Sequence, residues 1–200
     1  TQIKYSCGMT RGKNDKIDAR RIATYAFRFF DKMKCYVRPS EAIIQLNQLQ
    51  AERSMYVADL AKYKTILTDQ PNFIPQDIYM QKAKRIKVLM ASFQQAISAL
   101  EKKMNEIISA SAMLSRQMNL LTSIDGIGRV IAMNMIIATE AFTRFENARQ
   151  FCCYAGVAPF SYTSGSSQHS QNRVSLRADK SIKALLHLAA VAIAHRKDGE

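Results

Sequence analysis

The sequence lacks an uninterrupted apolar run of the roughly 20 residues that a membrane-spanning helix needs. The longest candidate extends from Ile182 to Ala194 and is interrupted by Lys183 and His187. The four cysteines include no CxxC pair, and the adjacent Cys152 and Cys153 are poorly placed to bridge each other. These absences exclude a transmembrane protein and a disulfide scaffold, and they predict a reduced, cytoplasmic protein.

Acidic residues are scarce in this chain of 200 residues. Lysine and arginine number 29 against 16 aspartates and glutamates, which gives a net charge of +13. The hydrophobic content of 48% argues against a disordered chain. The charge favours a polyanionic partner, with a solvated basic face as the alternative. Charge alone does not separate DNA from RNA or from an anionic membrane.

The positive charge is concentrated in the first fifth of the chain. Residues 1–40 carry ten basic and three acidic side chains, a net charge of +7, whereas residues 41–118 and 119–200 carry +3 each. Residues 13–30 predict a helix capped by Asn14 or Asp15, because either side chain accepts bonds from first-turn amides.

Two long stretches with a mean apolar spacing of 3.5 residues follow, at 41–68 and 80–118. Pro71 and Pro75 lie between the two stretches and prevent one continuous helix. The pattern therefore predicts a long antiparallel helical hairpin, or coiled coil. The apolar positions of each stretch form a seam along one face of its helix, and the two seams could instead pair between two chains. The seam positions are Leu46, Leu49, Arg53, Tyr56, Leu60, Tyr63 and Leu67, then Ile86, Met90, Phe93, Ile97, Leu100, Met104, Ile107, Ser111, Leu114 and Met118.

The segment LLTSIDGIGRVIAMNMI has the spacing of a helix-hairpin-helix element. Gly126 and Gly128 allow a turn that leaves bare amides at the start of the second helix, beside Arg129. Those donors and the helix dipole favour a phosphate group of a nucleic-acid backbone. The alternative is an ordinary tight turn between two helices.

Asp15 and Asp18 stand three residues apart at the start of the first predicted helix. They are interpreted either as acidic residues that complement the helix dipole or as ligands of a shared Mg²⁺ ion. Basic neighbours suited to a phosphate backbone flank them: Lys13, Lys16, Arg20 and Arg21.

A Ser-Gly dipeptide, Ser164-Gly165, lies in a loop rich in Ser, Gly and Gln. A serine beside a glycine is accessible, as a nucleophile must be, but the dipeptide is also common in ordinary loops. His169 lies near Ser164 in sequence, where it could assist the hydroxyl or be an ordinary polar loop residue.

Two separated blocks together resemble the DEDD-motif transposases of bacterial insertion sequences, a family that includes the Piv-type DNA invertases. The first is KNDKIDARRIATYA, in which Asp15 and Asp18 match the last two acids of the family motif. The second extends from Leu120 to about Ala194 and includes the glycine turn, the segment YAGVAP and Ser164-Gly165.

This resemblance implies a mainly α-helical chain with three parts. Residues 1–40 would be a remnant of an RNase H-like, RuvC-type catalytic domain, 41–118 the helical hairpin, and 119–200 a C-terminal helical domain with the helix-hairpin-helix element. Asp15 and Asp18 would bind Mg²⁺, and Ser164 would attack a DNA phosphate to form a covalent serine–DNA intermediate. A structured guide RNA, self-assembly as a homo-oligomer, and a cytoplasmic, nucleoid-associated location are further implications.

Two departures from the family pattern bear on activity. The first Asp and the Glu of the four-acid motif belong upstream of Lys13, and the chain begins at Thr1 without an initiator Met. We therefore expect a fragment, truncated at the N-terminus, that binds magnesium weakly and catalyses poorly or not at all. Near the closing helix, Lys183 stands where the family has Arg; it is expected to contact DNA, but without the forked geometry of a guanidinium.

Three functions therefore remain at the sequence level: a transposase fragment that cuts and exchanges DNA strands, an inactive DNA-binding or oligomerisation fragment, and a structural helical adaptor. An adaptor accounts for the heptad pattern but for neither the glycine turn nor the charge.

Overall fold

The computed structural model of the protein describes residues 3, 14–32, 36–158, 163–164, 168–169, 174 and 178–195. The described residues are mainly α-helical, which confirms the predicted fold class at that level. The chain forms two compact units, Thr1–Arg38 and Pro39–Glu200, and each is described by itself. Within the described residues, no helix is both long and apolar enough to cross a membrane.

The first unit contains helix α1 (Asp15–Arg28), followed by a 3₁₀ turn (Phe30–Lys32). Of the two predicted caps, Asn14 is the one used, because its Oδ1 accepts a 2.8 Å hydrogen bond from the amide of Ile17. None of the residues of α1 is fully buried. One helix and one turn do not establish a nuclease-like fold, so the RNase H-like remnant stays a prediction.

The second unit begins with an antiparallel helical hairpin, α2 (Glu41–Asp69) and α3 (Gln76–Ser109). Near the turn, the Tyr79 hydroxyl donates a 2.9 Å hydrogen bond to the carbonyl of Leu67. Midway along, the rings of Tyr56 and Phe93 lie 5.6 Å apart. The two predicted seams therefore pair within one chain, and all their positions are buried or half-buried.

The second seam is not one continuous helix, contrary to the prediction of a single stretch over 80–118. Helix α3 ends at Ser109, and α4 (Ala112–Thr122) begins after Ser111. The Ser111 hydroxyl accepts a bond from the amide of Leu114, and the Ser115 hydroxyl donates a 2.9 Å bond to the Ile108 carbonyl. A serine that satisfies free backbone groups makes a helix end here favourable without interrupting the apolar spacing.

The remaining elements are α5 (Arg129–Ala138), α6 (Ala148–Ala155), the two-residue strands β1 (Thr163–Ser164) and β2 (Gln168–His169), and α7 (Lys180–Ala194). The main core joins the open end of the hairpin to α4 and α5. Its buried members are Ile43, Leu46, Met104, Ile108, Leu114, Met118, Leu121, Ala132, Met133, Ile136 and Ala141.

A left-handed turn follows α5 without any glycine. Glu140, Ala141 and Phe142 have φ values of 51°, 57° and 64°, a conformation that costs roughly 1–2 kcal/mol per residue with a side chain. The Thr139 hydroxyl accepts a 3.1 Å bond from the Phe142 amide, and Gln117 donates one of 3.0 Å to the Ala141 carbonyl. These bonds help to hold the strained backbone.

Candidate nucleic-acid interface

The two predicted metal ligands lie in the first turn of α1. Asp15 is exposed, and the side chain of Asp18 is 48% exposed. Asp18 Oδ1 accepts a 3.1 Å hydrogen bond from Arg21 Nη1, so this carboxylate is already paired with a guanidinium on its own helix. Their positions three residues apart place the two carboxylates as neighbours on the helix surface.

The oxygen donors of this pair fit magnesium, which takes one or two protein carboxylates and keeps water or phosphate oxygens in its other positions. Within the described residues, no group of three or more His, Cys, Asp and Glu side chains could hold a metal ion. In that part of the chain, a metal ion at α1 would depend on Asp15 and Asp18 alone.

The predicted basic contacts around this pair differ in their environments. Lys16 and Arg20 are exposed, whereas the side chain of Arg21 is only 11% exposed and is paired with Asp18. Lys13 lies outside the described residues. The exposed pair can therefore reach a phosphate directly, while Arg21 serves first to orient a carboxylate.

The glycine turn connects α4 to α5, and its two glycines differ in backbone conformation and in the space that a side chain would have. Gly126 has φ of +79°, and a Cβ atom there would lie 2.6 Å from the carbonyl oxygen of Ala189 and 2.8 Å from Ile193 Cγ1 on α7. Gly128 has φ of −82°, and a Cβ atom there would meet nothing within 4 Å. Packing thus requires glycine at 126, whereas the space in front of Gly128 is open.

The N-terminus of α5 is exposed to an incoming anion. Gly128 is its N-cap and supplies no side-chain hydrogen bond, and the first turn contains no acidic residue. Arg129 occupies the first helical position, where a positive charge is unfavourable because it adds to the positive end of the helix dipole. Its Nη2 donates a 2.6 Å hydrogen bond to Asn105 Oδ1, and among the described residues no carboxylate pairs with it.

The serine loop is described at four backbone positions. Strands β1 and β2 pair antiparallel, with Thr163 opposite His169 and Ser164 opposite Gln168. The backbone therefore brings Ser164 and His169 onto adjacent strands, as their proximity in sequence suggested. The side chains of both lie outside the described residues, so the roles assigned to them stay predictions.

A polar cluster that sequence analysis did not identify joins α6 to the start of α7. The Tyr154 hydroxyl donates a 2.8 Å hydrogen bond to Asp179 Oδ2, and the Asp179 amide donates one of 2.8 Å to the Tyr154 carbonyl. Asp179 also caps α7, because its Oδ1 accepts bonds from the amides of Ser181 and Ile182. The Arg144 guanidinium lies 4.5 Å from the centre of the Tyr154 ring.

The hydrogen bonds of this cluster shift both pKa values. Burial would raise the pKa of Asp179, but bonds from the Ile182 amide, the Tyr154 hydroxyl and Ser181 hold it below the ordinary 3.8. Burial and the neighbouring Asp179 carboxylate raise the pKa of Tyr154 above 10.0, against the opposing effect of Arg144. Asp179 is therefore an anion with a structural role. The sequence signal that could have identified it as a helix cap is an Asp placed just before an apolar helix.

Gly156 and Lys183 meet beside this cluster. Gly156 ends α6 with φ of +69°, and a Cβ atom there would lie 2.5 Å from the Cβ of Ala178 and 3.7 Å from Cδ of Lys183. Lys183 is exposed on α7. Contact with nucleic acid through Lys183 stays a prediction.

Two family models match this chain in separate regions. A model described as the Transposase IS116/IS110/IS902 family matches residues 118–200, which include the glycine turn, the serine loop and α7. A model of IS110-type DEDD transposases matches residues 3–70, which include Asp15 and Asp18.

Curated relatives agree with these matches. The chain is 25% identical over 183 residues to the pilin gene-inverting protein of Moraxella bovis and 24% identical over 183 residues to that of Moraxella lacunata. In each case the match covers 92% of this chain and 54% of the relative, so the chain spans about half the length of these relatives. With both family models matched in order along it, the chain belongs to the IS110/IS116-type transposase family.

Proposed function

We propose that this chain binds the phosphate backbone of DNA and takes part in cutting and rejoining DNA strands during transposition or inversion. The observation that carries the proposal is the N-terminus of α5. It combines an open approach at Gly128, first-turn amides without a side-chain cap, and Arg129 with no carboxylate partner among the described residues.

A phosphodiester is the anion that fits this arrangement best. Amides at a helix N-terminus and an adjacent guanidinium donate to phosphate oxygens in a preferred geometry. Such contacts are independent of base sequence and fix the position of the protein on the backbone. The net charge of +13 adds the long-range attraction that such a partner requires.

Strand cleavage is the proposed role of Ser164. Its Oγ would form a bond to phosphorus while the P–O bond to one deoxyribose breaks, and the departing oxygen would take up a proton. The serine–phosphate ester conserves the phosphodiester linkage, so the reverse reaction with another strand end rejoins DNA. The Moraxella relatives are named for gene inversion, which requires DNA strands to be cut and rejoined, and this supports the proposal.

The proposed role of α1 is to hold Mg²⁺ through Asp15 and Asp18. The ion would stabilise the negative charge that develops on the phosphoryl group during the reaction. Lys16 and Arg20 would hold the phosphates beside it, and Arg21 would orient Asp18. A structured guide RNA, self-assembly into a homo-oligomer and location at the nucleoid remain predictions from the family resemblance.

The test is the salt dependence of DNA binding by the whole chain, measured as fluorescence anisotropy of a labelled duplex. Binding is expected to weaken steeply with salt, and Arg129→Ala is expected to reduce the slope of log K against log[salt] by about one. Arg116→Ala is the matched control, because it removes the same charge from an exposed position on α4. Binding that is insensitive to salt would contradict the proposal and favour a helical adaptor.

A further inference from the structure

A cavity of about 210 Å³ lies where the helical hairpin meets the start of α5. Its volume is below the roughly 300–1,000 Å³ of pockets for drug-sized ligands and suits a single heterocycle. Residues from α2, α3 and α5 line it, all within the second unit. The cavity adjoins the proposed phosphate site, because Arg129 belongs to both.

Two of the cavity walls are apolar. Met104 from α3 and Met133 from α5 are 3% and 6% exposed, and Val130 lies at 41% exposure. Methionine side chains are polarisable and make favourable contacts with aromatic rings. Apolar walls of this kind suit the faces of a planar base and do not suit a phosphate group.

The polar groups at the cavity carry both signs of charge. Arg53 donates from Nε and Nη2 to the same oxygen, Oε1 of Glu101, at 2.7 Å in each case. Arg129 and Asn105 form the second pair, at 2.6 Å. A ligand with both donors and acceptors on its edge can use these groups, whereas the Glu101 carboxylate would repel a lone anion.

A buried amide also lines this cavity with unused bonding capacity. Gln50 is 8% exposed, and its Nε2 makes one long hydrogen bond of 3.4 Å to the hydroxyl of Ser54. Its Oε1 accepts no hydrogen bond from the described residues. The amide oxygen of Gln50 is therefore available to a group that enters the cavity.

We propose that this cavity receives one unpaired guanine base of the bound DNA. Guanine presents N1–H and N2–H₂ donors, which the second oxygen of Glu101 can accept, and O6 and N7 acceptors, which suit a guanidinium. Gln50 completes the polar edge, and the methionines cover the faces of the ring. Proteins that read unpaired bases combine such edge contacts with apolar or stacking walls. This inference rests on the proposed function, since the DNA brings the base to the cavity.

The experiment uses the whole chain and labelled single-stranded oligothymidylates of about 12 nucleotides, within the usual size of a single-strand site. The central position is thymine, guanine, adenine, cytosine or an abasic site, and affinity is measured by anisotropy at one salt concentration. The oligonucleotide with guanine is expected to bind about tenfold more tightly than the other four.

Two substitutions test the cavity in different ways. Glu101→Gln removes the acceptor charge but keeps an oxygen for Arg53, and Gln50→Leu removes the amide from the polar edge at a similar side-chain volume. Both are expected to abolish the guanine preference while leaving the affinity for plain oligothymidylate within about twofold. Glu106→Gln is the matched control, because Glu106 is exposed on the same helix and does not line the cavity; the preference is expected to persist in it.

Equal affinity of the unsubstituted chain for all five oligonucleotides would overturn the guanine site. Persistence of the preference in both cavity variants would overturn it as well, by placing the base elsewhere. In either case, salt-dependent binding of duplex DNA would leave the proposed function standing. Absence of binding to every oligonucleotide and to duplex DNA would overturn both.

Discussion

Arg129 at the first position of α5 is held by Asn105 on α3, through a 2.6 Å hydrogen bond from Nη2 to Oδ1. Because the acceptor is a neutral amide, the bond orients the guanidinium without cancelling its charge. The hairpin thus fixes a cation at a helix end that already attracts anions. This relationship is the structural basis of the proposed phosphate site at the start of α5.

Gly128→Asp is expected to stabilise the fold and to weaken DNA binding. Gly128 has extended backbone geometry, so an aspartate there can cap α5, worth a few tenths of a kcal/mol relative to glycine. The same carboxylate would occupy the phosphate position and repel DNA, lowering affinity by about tenfold or more. Thermal unfolding and anisotropy measure the two effects, with Gly128→Asn as an uncharged capping control. Unchanged affinity in the aspartate variant would exclude a phosphate site here.

Gly126→Ala is expected to lower the free energy of unfolding by about 2–4 kcal/mol, from left-handed strain combined with overpacking. The alanine Cβ would have to share space with the backbone of α7 at Ala189. Urea unfolding measures the loss, and Gly128→Ala serves as the control because its Cβ meets no atom. Equal small losses in the two variants would contradict the distinction drawn between the two glycines.

Asp179→Asn is expected to remove one source of acid sensitivity. The folded pKa of Asp179 is lowered from 3.8, so its carboxylate contributes stability above that value and loses the contribution as pH falls through the folded pKa. Asparagine still caps α7. The difference in unfolding free energy between the two proteins is therefore expected to shrink as the pH falls from about 5 through the folded pKa, which lies below 3.8. A constant difference across this range would show that the ionised carboxylate adds nothing.

Ser164→Ala is expected to abolish any covalent protein–DNA adduct that survives denaturation, because the hydroxyl is the proposed attacking group. Gel mobility after denaturation, followed by peptide mapping, identifies the attached residue. Ser166→Ala in the same loop is the matched control and is expected to retain the adduct. An adduct that persists in Ser164→Ala, or that maps to another residue, would remove Ser164 from this role.

The helical architecture was largely predictable because its causes are local or periodic. The seam around Leu46 and Met104 repeats at helical spacing, and Pro71 and Pro75 mark the turn of the hairpin. Asn14 was one of two possible caps for α1, and the structure selects it. Burial of an apolar stripe and satisfaction of first-turn amides are visible in sequence.

Features that depend on distant contacts were not predictable. The need for glycine at 126 comes from α7, more than 60 residues later in the chain. The hydrogen bond from the Tyr154 hydroxyl to Asp179 depends on how α6 meets α7. The left-handed turn at Glu140 contains no glycine to indicate it. Tertiary packing decides each of these, and single-sequence patterns do not encode it.

The most direct test of the proposed phosphate site is an amide ¹H–¹⁵N NMR titration of the chain with a short DNA duplex. Amides at a helix N-terminus shift strongly when a phosphate oxygen accepts their hydrogen bonds. The largest shifts are expected at Arg129, Val130 and Ile131, and they are expected to disappear in Gly128→Asp. Binding of the duplex with these three amides unperturbed would contradict a phosphate site at the start of α5.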